Sequence, residues 1–90
     1  MRIDAPEIAM ANAAGLASLG RAAIEQGESE FDLSAVTRCD SSAVAVLLEW
    51  QREAAARGLK LRVTGTPPGL ASLATVYGVE ALLPPLTARA

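Results

Sequence analysis

Hydrophobic and polar positions along the 90 residues change period several times, and each change marks a predicted element. Residues 31–36 alternate Phe31, Leu33 and Ala35 with polar positions before Val36 closes the run, which predicts a short strand. A tight turn through Thr37, Arg38 and Cys39 follows. Asp40, Ser41 and Ser42 then stand before a continuously apolar run, 43–48, so a helix is expected from about Ser41 to Arg57 with side-chain oxygens at its start to accept from free N–H groups. Placed at 100° per residue, that helix sets Glu49, Arg52 and Glu53 on one arc and Ala43, Val44, Leu47, Leu48, Trp50 and Ala54 on the other, the side expected to face a sheet. Gln51 falls inside the apolar arc and is expected at its rim. Ala45 and Val46 fall on the outward side.

The remaining elements read less sharply. Residues 1–6 alternate weakly and predict a short strand ended by Pro6. From Glu7 to Gln26 an Ala-rich helix is expected, with Ala13, Leu16, Gly20, Ala23 and Ile24 on one small-residue face and Gly27 as its stop. Leu59, Leu61 and Val63 alternate with Lys60, Arg62 and Thr64, which predicts a strand after Gly58. A helix capped near Thr66 or Pro67 sets Leu70, Leu73, Ala74 and Tyr77 on one stripe up to Gly78. Val79, Leu82 and Leu83 are expected to pack as a last turn or short strand, and 83–90 to trail as a tail. Strands separated by helices imply crossover connections, hence an α/β fold with a small, mostly parallel sheet flanked by helices in a single domain, 1–90.

Composition narrows the chemistry. Eight basic and ten acidic residues give a net charge of −2 with no block of either sign, so no nucleic-acid footprint is present. Histidine is absent and Cys39 is the single cysteine, which removes the commonest general base and any zinc pattern. No nucleophile–base pair can be built, so neither an enzyme nor a metal or cofactor site is expected. No secretory signal or membrane-spanning run is visible, and a cytoplasmic protein without direct membrane insertion is expected.

Against that background, the strand with Asp32-Leu33-Ser34, the short turn, and Asp40-Ser41-Ser42 before an apolar helix together resemble the STAS domain, shared by sulfate transporters and anti-sigma-factor antagonists. Leu47-Leu48-Glu49-Trp50 and the later 73–79 stretch, with Leu82-Leu83-Pro84 behind it, are most similar to the MlaB-type subunit of bacterial phospholipid ABC transporters. Relative to that family the N-terminus is short by about one strand. The resemblance implies a non-catalytic cytoplasmic accessory subunit that binds and stabilises or regulates the ATP-binding subunit of a transporter maintaining outer-membrane lipid asymmetry, peripheral to the inner membrane through its partner.

Three readings of the Asp-Ser turn stay open. Asp40, Ser41 or Ser42 caps the helix. Alternatively Asp40, Ser41, Ser42, Ala45, Val46 and Glu49 form a docking surface for that ATP-binding subunit, Val46 serving as an anchor and Tyr77 as a further contact. In the third, implied by the anti-sigma-factor antagonists, Ser41 is phosphorylated by a partner kinase, although Ala43 stands where that group has glycine. Without a partner, the apolar patch on this helix and the small-residue first helix would also support self-association.

Overall fold

In the computed structural model, which describes residues 1–88, the chain forms β1 (Glu7–Ile8), α1 (Ala13–Glu25), β2 (Glu30–Asp32), β3 (Arg38–Cys39), α2 (Ser41–Ala56), β4 (Arg62–Thr66), α3 (Pro68–Val76) and β5 (Leu86–Ala88), with one 3₁₀ turn at Glu80–Leu82. All strand pairs are parallel. β4 lies between β2 and β5, while β1 pairs with β3 in a separate two-stranded ladder. The α/β class with a small parallel sheet and flanking helices is what the alternation of elements predicts. Residues 1–3 run along the free edge of β2 through the Arg2–Asp32 bridge, with Ile3 N–H donating to Asp32 O at 3.0 Å. Residues 1–3 thus form an isolated bridge where a strand over 1–6 is expected, and they cover that edge.

Each helix ends by the same device. Gly27, Gly58 and Gly78 adopt positive φ of 94°, 70° and 67°, and the N–H of the next residue returns to a carbonyl in the last turn: Glu28 to Ala23, Leu59 to Ala54, Val79 to Ala74. This is the six-to-one closure that a left-handed glycine permits. It also moves the expected strand at 59–64 to Arg62–Thr66, because Leu59 completes the end of α2. Leu61 and Val63 still point inward, at 2 % and 0 % exposure.

Several boundaries depart from expectation. Residues 7–12 are not helical: the Asn12 side chain accepts from Ala9 N–H at 2.9 Å and donates to Glu7 O at 2.8 Å, holding the segment as strand and turn. Thr37 and Arg38 donate to Pro6 O, so the expected turn residues Arg38 and Cys39 become β3. The strand expected at 31–36 stops at Asp32, whose Oδ1 accepts Ser34 N–H at 2.9 Å and turns the chain. The expected tail is a correction of another kind. Leu83 and Pro84 are buried and Leu86–Ala88 pairs with β4, Val63 N–H donating to Pro85 O at 3.1 Å; Arg89 and Ala90 lie outside the described residues.

The core joins Ile3, Ile8, Ile24, Phe31, Leu33, Leu47, Trp50 and Leu70, all at most 1 % exposed. Trp50 is its centre. Its ring meets Phe31 edge to face at a centroid distance of 4.5 Å, and its Nε1–H donates to Leu16 O of α1 at 3.2 Å. That approach requires Gly20: a Cβ there would lie 2.0 Å from Trp50 Nε1 and 2.3 Å from Cε2. Because the indole is enclosed, it cannot retreat from an added methyl. Gly20→Ala is therefore expected to cost about 3 kcal/mol and lower Tm by roughly 10–20 °C, read by thermal denaturation; an unchanged Tm would show that α1 can shift without cost.

Candidate functional site

The start of α2 is built around Asp40. It sits in extended backbone as the N-cap, its Oδ1 accepting Ser42 N–H at 2.8 Å. Its Oδ2 accepts Met10 N–H at 3.3 Å, and its own N–H donates to Ile8 O at 3.2 Å, so one exposed residue ties the β1–α1 turn to the helix. The Ser42 N–H bond holds the Asp40 carboxyl below its ordinary value, and a backbone bond to Met10 acts in the same direction. Ser42 is half-buried, and Ser41 is exposed with no hydrogen bond from its hydroxyl among the described residues.

Beside Ser41 lies a shallow groove of about 340 Å³ lined by Ser41, Val44, Ala45, Leu48, Tyr77 and Val79. Its walls are almost wholly apolar, and the Ser41 hydroxyl is the polar group at its head. α2 supplies one wall. The end of α3 supplies the other, since the closure at Gly78 turns Val79 back while Tyr77 stays 55 % exposed. Of the residues singled out from sequence, Ser41, Ala45 and Tyr77 are brought together here. Val44, Leu48 and Val79 complete the groove; α2 alone carries no signal for them, because the second wall comes from another helix.

Val46 does not belong to an outward surface. It is 2 % exposed, and with Ala13, Ala14, Ala17, Ala45 and Glu49 it lines a narrow crevice of about 150 Å³ between α1 and α2. At Val46 the arc expected to face solvent is covered by α1, so this residue is too enclosed to anchor a partner. Glu49 lies on the same flank, pairing with Arg21 of α1 at 3.2 Å and with Arg52 at 3.1 Å. The small residues Ala13, Ala14 and Ala17 of α1 are what line the crevice with Val46.

Burial pushes the thiol of half-buried Cys39 up, with Asp40 adding to the effect, so it is a poorer nucleophile than a free cysteine. Among the described residues no group of three or more Cys, Asp or Glu side chains could hold a metal ion, and no helix is long and apolar enough to cross a membrane. The groove offers apolar area and the hydroxyl-bearing side chains of Ser41 and Tyr77.

A family model described as "Mlab, STAS domain" matches residues 2–84. No curated protein and no solved structure matches the chain.

The depressed Asp40 carboxyl gives a pH signature. A carboxylate held below its ordinary value contributes stability above its unfolded pKa and loses it as pH falls through the folded one. The Tm difference between the wild-type protein and Asp40→Ala should be full above about pH 5 and shrink as pH falls below that range. Asp32, held low mainly by Ser34, is present in both proteins and cancels in the comparison. A difference that persists unchanged into strong acid would remove the carboxylate as the source of the cap's effect.

Proposed function

The chain belongs to the MlaB-type STAS-domain family, and from that premise we propose that it is a non-catalytic accessory subunit binding the ATP-binding subunit of a phospholipid ABC transporter. The observation that carries the reading is the apolar groove headed by Ser41 and flanked by exposed Tyr77. A protein side chain seated between α2 and the end of α3 would cover Ala45, Leu48 and Val79. Asp40, Ser41 and Tyr77 would surround it, while Val46 and Glu49 support the surface from the α1 side. In this role the protein is cytoplasmic, reaches the inner membrane only through its partner, and serves the maintenance of outer-membrane lipid asymmetry.

One observation favours a second reading. Ser41 is the first residue of a 16-residue helix and its hydroxyl is exposed. A kinase could reach it, as in an anti-sigma-factor antagonist. Phosphate there would gain from the helix N-terminus, lose against Asp40, and place charge at the head of an apolar groove. In either reading, charge at Ser41 acts on binding far more than on folding.

The test is affinity for the purified ATP-binding subunit, together with mass spectrometry of the 40–42 peptide from the native cell. Ser41→Asp should lower affinity about 100-fold, the order expected for an uncompensated charge in a closed interface, and Tyr77→Ala about ten-fold or more. Both variants should melt within about 2 °C of the wild type, since surface changes of this kind cost little stability. Wild-type affinity in Ser41→Asp would remove the groove as the docking site. Phosphate on Ser41 with no ATPase bound would replace the transporter reading with the kinase-switched one.

A further inference from the structure

A second cleft, on a different part of the surface, carries chemistry that the Ser41 groove lacks. It lies between the start of β4 and the segment leading into β5, has a volume of about 380 Å³, and is lined by Gln51, Leu59, Lys60, Leu61, Arg62 and the 83–85 segment. Leu59, Leu61, Leu83, Pro84 and Pro85 make its walls apolar.

Two independent features point to a ligand. Lys60 and Arg62 are exposed cations at this cleft, and among the described residues neither forms an ion pair, whereas Arg2, Arg21, Arg38, Arg52 and Arg57 each have an acidic partner. The second is Gln51, whose buried Oε1 has no hydrogen-bond donor among the described residues. A desolvated acceptor without a donor is a standing cost to the fold. The cleft thus lacks an anion, an apolar body and an N–H or O–H donor.

We propose that this cleft binds an acidic peptide segment of a partner protein, in which carboxylates meet Lys60 and Arg62, an aliphatic side chain enters between Leu59 and Pro84, and the Gln51 side chain turns out so that a backbone N–H donates to its Oε1. A simple aliphatic carboxylate supplies the charge and the apolar body but no donor along its length, while a peptide supplies a donor at almost every residue. The assignment does not depend on the transporter reading, because it uses a different cleft.

The experiment is an amide-resolved NMR titration of the full chain with acetyl-Glu-Leu-Glu-Leu-Glu-amide, its lysine-for-glutamate counterpart, and dodecanoate below its micelle concentration. The acidic peptide should shift the amides of Gln51, of 59–62 and of Leu83, with an affinity that falls as salt is raised. The Lys60→Glu, Arg62→Glu double variant should weaken it at least about ten-fold. Gln51→Met, which keeps the length of the side chain and removes its amide, should weaken binding several-fold while raising the Tm of the free protein by about 5 °C. Equal binding of the lysine peptide, shifts confined to other residues, tighter binding of dodecanoate, or an unchanged affinity in Gln51→Met would each overturn the proposal.

Discussion

The contact on which the rest of the structure depends is the indole of Trp50 against the bare backbone of Gly20. By donating to Leu16 O it satisfies the one polar atom that an otherwise enclosed ring would leave unpaired, and it does so across two helices. The same ring meets Phe31 on β2, so sheet, α2 and α1 share one centre. Arg21–Glu49 and Arg57–Glu25 also join the helices, but all four side chains are about 40 % exposed or more, apart from Glu49 at 39 %. Ion pairs in that environment are screened and contribute little. Packing against Gly20, not charge, sets the distance between α1 and α2.

That distance decides what the surface of α2 can be. With α1 drawn in, Val46 is buried on the side of Ala13, Ala14 and Ala17, while Ala45 stays exposed at the edge of that crevice. The open flank is left to face the end of α3. There the chain must turn sharply to reach β5, and the positive φ at Gly78 supplies the turn. Tyr77 and Val79 come to stand opposite Ser41, Ala45 and Leu48 as a result. Ending a helix and making a groove are the same event.

Much of this was legible in sequence wherever one local force decided the outcome. A cap within Asp40-Ser41-Ser42, which falls to Asp40, the alternation of Leu61 and Val63, and the glycine stops at 27, 58 and 78 are each set within a few residues, and the structure places them as the pattern implies. Where two distant segments decide, the sequence was silent. Val46 looked outward because a helical wheel assumes one covered side, while α2 is covered by the sheet and by both neighbouring helices. Residues 7–12 looked helical by composition, yet Asn12 captures Glu7 O and Ala9 N–H and spends those groups locally. The last strand was hidden by Pro84-Pro85, which reads as the end of order, although prolines are admitted just before an edge strand. Tyr77 and Ser41 could be named, but not their neighbour Val79, whose position follows from the turn.

The division of labour among Asp40, Ser41 and Ser42 bears on how one turn can serve both fold and recognition. Asp40 accepts two backbone N–H groups from different segments, and Ser42, half-buried, offers its N–H to that carboxylate. The cap is then complete. Ser41, between them, has no such duty, since its hydroxyl makes no hydrogen bond among the described residues and it is exposed where the groove begins. Capping therefore leaves the Ser41 side chain uncommitted, and in the proposed role docking falls on the residue next to the cap. A negative charge at Ser41 would even be favoured by the helix N-terminus, because the partial positive charge there is concentrated in the first turn. The same charge faces Ala45, Leu48 and Val79, where any apolar partner would have to desolvate it. In the proposed docking role, a negative charge on this hydroxyl would weaken binding while leaving the Asp40 cap intact.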